Sequence, residues 1–145
     1  MKINNIHWSI GILICIKLLL HLLAINQYGY FIDEYYYLAQ SKNLALGYVD
    51  HAPLSIWILK LATLFIGDSL LSIRLISALA GMMVIYITSK TVEEMGGKSF
   101  SQFLAGLTIL IAPIYLGIHK FYSMNSLEHF FWTLSILLLL RLIKY

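Results

Sequence analysis

The sequence has little of what stabilises a small soluble domain. It holds one cysteine, Cys15, and two prolines in 145 residues. A lone cysteine forms no internal disulfide, and no Cys/His spacing has the form of a metal centre. Charge is scarce as well: Asp, Glu, Lys and Arg make up 12% of the chain, against roughly a quarter in an average soluble domain. The net charge of +3 comes from scattered basic residues, which excludes a nucleic-acid-binding patch and nucleic acid as a partner. Internal repeats and low-complexity segments are absent. What is abundant is apolar, at 60% of the residues. A soluble chain of this length could not hide so much apolar surface, so lipid is the solvent for much of it.

Four stretches approach the ~20 residues that cross a bilayer: residues 8–25, 70–88, 100–118 and 127–143. The expected fold is all-α, a polytopic membrane protein with about four transmembrane helices and interfacial helices in a long first extracytoplasmic loop, residues 26–69. The first run is long for a signal-peptide core, carries Lys17 and His21, and has no small-x-small cleavage site, so it reads as an uncleaved helix. Cys15 lies inside it as a small lipid- or helix-facing residue. A fifth run, residues 54–66, is too short to span and has Lys60 in its middle, which suits a helix in the interface or packed on the bundle. Asp68 or Ser69 can cap the second span, and residues 93–98 read as a polar turn. Asn125 and Glu128 have capping-box spacing at the head of the fourth span. Pro113 should bend the third span, and Pro53 should start the short helix.

Lysine and arginine in the flanks predict orientation. With both termini cytoplasmic, Lys2, Lys90, Lys98, Arg141 and Lys144 lie inside, and Lys42, Lys60 and Lys120 lie outside. That topology gathers Asp33, Glu34, Asp50 and His51 in the outer loop. It puts Arg74 about one turn below the same surface, with His119, Lys120, Asn125, Glu128 and His129 around it. Lys17 and His21 are exceptions: four apart in the first span, they share one helix face. Ionisable groups at membrane depth face a bundle interior or a cavity, so the pattern implies a wet, charged site on one side of the membrane.

The acids open that loop in the run GYFIDEYYYLAQ. On a helix, adjacent side chains diverge by ~100°. Asp33 then shares a face with Tyr36 and Tyr37, and Glu34 with Tyr37 and Leu38, so one acid can enter a site while the other anchors the helix. A carboxylate within reach of a substrate hydroxyl can act as a general base. His51, Arg74, His119 and Lys120 could stabilise a phosphate leaving group. Simpler readings stand beside these. The acids can be a solvated helix start favoured by the dipole, Asp50-His51 a cap before Pro53, Arg74 a snorkelling residue, and the tyrosines an interfacial aromatic belt.

Three segments in order, GYFIDEYYYLAQSKNLALGYVDHAPL, GDSLLSIRLISALAG and SMNSLEHFFWTL, resemble the N-terminal part of GT-C membrane glycosyltransferases. The nearest group is the family 39-like set, the dolichyl-phosphate-mannose-protein mannosyltransferases and their bacterial relatives that transfer aminoarabinose to lipid A. The resemblance covers residues 28–132, and the acidic pair is its most specific element. It implies an inverting transfer from a polyprenyl-phosphate sugar to a lipid, glycan or protein acceptor at the extracytoplasmic face of the plasma (inner) membrane. Asp33 matches the first acid and would be the base; Glu34 would hold the loop or the acceptor. Asp50 falls where relatives place an acid next to the donor phosphate, in some with a divalent metal, and His51 replaces the cation often found after it. Arg74, His119 and Lys120 are candidates to bind the donor phosphate or the acceptor. Family members are several times longer, so the chain is expected to be an N-terminal fragment whose C-terminal part completes the donor cradle. The alternative is a small four-span transporter or channel subunit, which should line a path from both faces with ionisable groups. A scaffold or lipid-binding subunit without chemistry is the third reading.

Overall fold

Helix is the only regular structure among the described residues, 8–145, of the computed structural model. Lys2, which the orientation argument counts, lies outside them. The elements are α1 (Trp8–Ala24), α2 (Ile32–Lys42), α3 (Leu54–Ile66), α4 (Leu70–Glu94), α5 (Ser99–Ile111), α6 (Pro113–Lys120) and α7 (Met124–Lys144). The all-helical expectation therefore holds.

Local chemistry explains most of the boundaries. Ser69 opens α4, its side chain accepting from the Ser72 N–H at 3.2 Å, which satisfies a donor that the first turn leaves free. At the other end of α4, the Gly97 N–H reaches back to the Val92 carbonyl and the Gly96 N–H to that of Glu93. This paired closure needs a residue with positive φ, and Gly96 supplies φ 87°. Pro113 ends α5 and starts α6, and the two axes differ by 61°; the missing N–H and the ring's clash with the preceding turn force the break. The start of α7 departs from the sequence reading. The helix begins at Met124 after an extended Ser123, without a side-chain cap, so Asn125 and Glu128 already lie within it and form no capping box.

Among the described residues two helices, α4 and α7, are long and apolar enough to cross a membrane, and the bent α5–α6 pair qualifies as a third crossing if taken as one span. At 17 residues α1 is shorter, as is α3. Length and composition thus give two to three crossings where the sequence leads one to expect four.

The long α4 is the central post: α1, α5, α6 and α7 all pack on it. One core joins Ile10 and Leu13 of α1 to Val84 and Ile85 of α4 and Ile109 and Leu110 of α5. A second core sits where α2 and α3 fold over the Leu70 end of α4, and joins Tyr37, Ile56, Leu59, Ile73 and Tyr122. The last residues of α1, the first of α4, the end of α6 and the start of α7 all meet there. At the opposite end of the bundle, Glu94 takes Arg141 at 2.8 Å and Lys144 at 3.5 Å.

Candidate functional site

The platform made by α2 and α3 is fastened by one buried ion pair. Arg74 stands in the second turn of α4 and presents the Nε–Nη2 edge of its guanidinium to Glu34 of α2. Its Nε donates to Glu34 Oε1 at 2.9 Å and its Nη2 to Glu34 Oε2 at 2.8 Å. The remaining N–H groups donate to the carbonyls of Ile25 (2.6 Å), Tyr28 (3.2 Å) and Gly29 (2.7 Å). All the donors that a guanidinium carries are engaged. Glu34 also accepts from the N–H groups of Phe31 (2.8 Å) and Tyr122 (3.0 Å). Burial pushes the Glu34 carboxyl up, but Arg74 and the two backbone N–H groups outweigh that and hold it below the usual carboxylate range. Glu34 and Arg74 thus lock together the exit of α1, the start of α2, the head of α4 and the α6–α7 junction. No donor of Arg74 is left for a phosphate.

Asp33, the preceding residue, points elsewhere. It is half-buried and has no hydrogen bond or ion pair among the described residues. Its neighbours on the helix face are Tyr36 and Tyr37. Tyr36 donates its hydroxyl to Asp50 Oδ2 at 2.7 Å, and that bond pushes the Tyr36 phenol up. Tyr37 is buried, accepts from the Met124 N–H at 3.2 Å, and stacks on His51 with ring centroids 5.0 Å apart. Burial pushes its phenol up as well. His51 is held by Gln40, Nε2 to Oε1 at 2.8 Å, with Nδ1 3.1 Å from the Ala52 carbonyl. Asp50 and His51 are therefore gathered onto the same face of α2 as Asp33.

Two open cavities flank the platform. One, of about 340 Å³, is lined by His51, Leu54, Met124, Leu127, Glu128 and Phe131. The other, of about 350 Å³, is lined by Tyr28, Phe31, Arg74, Gly117, Lys120 and Phe121. Lys120 stands 3.8 Å above the Tyr28 ring at the edge of this cavity, a cation–π contact.

His119 lies apart from these groups. It is fully buried inside the bundle against Gly81 and Lys17, 5.3 Å ring to ring from His129, with neither ring nitrogen bonded. Lys17 and His21 do share a face: His21 Nδ1 approaches the Lys17 carbonyl at 2.8 Å, and Lys17 Nζ donates to the Tyr115 carbonyl at 3.3 Å. Asp50 has no second acid beside it, and His51 is turned to Gln40. Among the described residues no set of three or more His, Cys, Asp or Glu side chains converges as a metal centre, so they do not fit a divalent ion at Asp50.

Sequence reasoning missed Tyr122. Its N–H bonds Glu34, and its hydroxyl donates to the Ser55 carbonyl at 2.5 Å, so it pins α3 to the Glu34 knot. Gln40 and the carbonyls around Arg74 were missed too. None of these has a local pattern, because each acts across a long stretch of chain.

A sequence model of the dolichyl-phosphate-mannose-protein mannosyltransferase family matches residues 50–145. The match takes in Asp50, His51, Arg74, His119 and Lys120, while Asp33 and Glu34 precede it. Comparison with curated proteins and with solved structures gives no match.

Proposed function

The chain belongs to the dolichyl-phosphate-mannose-protein mannosyltransferase family, and from that premise we propose that it transfers a sugar from a polyprenyl-phosphate donor to a hydroxyl of a lipid, glycan or protein acceptor. Family membership makes it a membrane glycosyltransferase of the GT-C type. The donor, the inverting course and the extracytoplasmic face are our reading. One observation carries the assignment of roles: of two adjacent carboxylates, Glu34 is wholly engaged by Arg74 and backbone N–H groups, while Asp33 has no hydrogen-bond partner among the described residues.

In this mechanism Asp33 accepts the proton of the acceptor hydroxyl as its oxygen bonds the anomeric carbon. The bond from that carbon to the donor phosphate breaks on the opposite face, and its electron pair leaves on the phosphate oxygen. Attack opposite the leaving group inverts the configuration. Lys120, held over the Tyr28 ring, offsets the charge that develops on the phosphate. Glu34 and Arg74 keep α2 at a fixed height and angle, so that Asp33 meets the reacting hydroxyl in line. The Asp50, His51 and Tyr36 group edges the acceptor side. The transporter reading wants Lys17 on a path between the two faces, yet Lys17 is fully buried against the Tyr115 carbonyl.

The test is Asp33→Asn in the full-length protein, supplied with a polyprenyl-phosphate sugar. Loss of the base should lower the transfer rate about 10²–10⁴-fold with an unchanged melting temperature. Turnover at the wild-type rate in that variant removes Asp33 as the base.

A further inference from the structure

We propose that His119 is the positioning residue for Lys120: its imidazole, seated on Gly81, fixes the end of α6, and acid unseats it. Little else holds α6 in place. The helix is eight residues long, follows a 61° bend, and has no side-chain cap at its start. His119 is its one buried side chain. Lys120 is the next residue, so what fixes His119 also fixes the height of Lys120 beside the cavity lined by Tyr28 and Phe121.

Three other helices build the seat. α4 presents Gly81, where a Cβ would stand 2.8 Å from the His119 ring, so glycine is what leaves the notch open. α7 lays His129 parallel to the ring at 5.3 Å, and His129 also stacks on Tyr115 of α6 at 4.5 Å. α1 brings Lys17, whose Cε is 3.0 Å from the same point above Gly81. Lys17, His21 and His129 are all close enough to act on His119 electrostatically, and α5 has no titratable residue. The groups around the ring are therefore basic, apart from Tyr115. Among the described residues none of them forms an ion pair with a carboxylate. Glu128, next to His129, is exposed and lines the cavity beside His51.

An apolar side chain of the same shape would fill the notch at less cost, because both ring nitrogens of His119 are buried without a hydrogen-bond partner. What the imidazole adds is a proton site. A ring released to water takes up a second proton below about pH 6.5. In the closed bundle that proton would place a cation beside Lys17 with no acid to face it. Acid therefore favours the state in which the end of α6 has left its seat. Each proton taken up on opening multiplies the open population about tenfold per pH unit. Lys120 then leaves the Tyr28 ring, and transfer slows. This effect on transfer rests on the reading of Lys120 as the group that faces the phosphate; the seat itself does not.

The test is hydrogen exchange of the full-length protein in lipid nanodiscs, from pH 7.5 to pH 5, corrected for the intrinsic rate and read at the amides of α6. Wild type should lose protection about tenfold per pH unit below ~6.5. His119→Phe, or the smaller His119→Leu, should remove about one such factor. In parallel, the donor KM of wild type should rise several-fold by pH 5.5, while that of the His119 variants stays level. Protection that is independent of pH in wild type overturns the proposal, and that arm needs no variant to fold. Equal acid loss in wild type and variants also overturns it, since other groups then drive the opening. So does an α6 that opens in acid with no change in donor KM. Asp33→Asn and Lys120→Ala should leave the exchange pattern untouched. An unchanged donor KM in Lys120→Ala at neutral pH would reject the phosphate role of Lys120, so that reading and the seat fail separately.

Discussion

The two neighbouring carboxylates show what a single residue's surroundings do to its role. Glu34 is enclosed and held by four hydrogen bonds, two of them from Arg74. Breaking a buried, well-bonded pair by removing one member costs about 3–5 kcal/mol, because the other charge stays buried without a partner. Glu34→Gln should therefore lower the melting temperature markedly. Arg74→Lys should do nearly as much, since an ammonium cannot bond the carboxylate at two points and reach the three carbonyls as well. Thermal scans on purified protein check both, and a lysine variant as stable as wild type rejects this account of Arg74. The pair also sets a pH dependence. The Glu34 carboxyl is lowered in the folded protein, so its stabilisation is complete above its unfolded value, about 4.3, and is lost as pH falls through the lower folded value. The wild-type melting temperature should drop on that acid side, and Glu34→Gln should lose that part of the drop. That the two side chains point apart was legible from helix geometry alone, because ~100° separates adjacent side chains. The identity of the brace was not: Arg74 and Tyr122 lie 40 and 88 residues away in the chain, and no local spacing reports a contact of that range.

Among the elements, the ones read best are those with strong local chemistry. The Pro113 break, the Ser69 cap, the short α3 and the Gly96–Gly97 closure all follow from residues within one turn of the event. The start of α7 was read wrongly for the same reason. Asn125 and Glu128 have the spacing of a capping box, but Met124 already continues the helix, and Ser126 is drawn inward, its hydroxyl 3.0 Å from that of Ser77. A tertiary contact with α4 overrides the local signal. Packing around Gly81 was equally invisible in the sequence. A Cβ there would sit 2.8 Å from the His119 ring and 3.0 Å from Lys17 Cε. The imidazole is enclosed and cannot swing away, so α4 must move from α1 and α6. Gly81→Ala should therefore destabilise by about 1–3 kcal/mol, despite alanine's better helix propensity. Gly11→Ala, where nothing lies near the added methyl group, is the matched control and should leave the melting temperature unchanged or raise it. Equal behaviour of the two variants would mean that the helices have room at Gly81.

For the whole molecule, composition made the class plain and left the crossings open. Apolar runs locate helices, but a run does not say whether its helix stands across a bilayer or lies on it: α1 and α3 differ by only four residues in length. What decides is which groups meet at each end of the bundle. The ends of α1 and α6 and the starts of α4 and α7 converge around Glu34 and Arg74, while Glu94, Arg141 and Lys144 close the other end. If the Arg–Lys end is cytoplasmic, as the positive-inside tendency requires, the Asp33 platform faces outward. Single cysteines in a Cys15→Ser background test this directly. Gly47→Cys, on the platform and with open space around the added side chain, should react in intact cells with a membrane-impermeant maleimide. Met95→Cys, exposed in the turn between α4 and α5, should react only after the cells are opened. Labelling of both in intact cells would place the two ends on one side and break the bundle's polarity. The reverse pattern would turn the site inward, to face a different donor pool, and the acceptor would have to be sought in the cytoplasm.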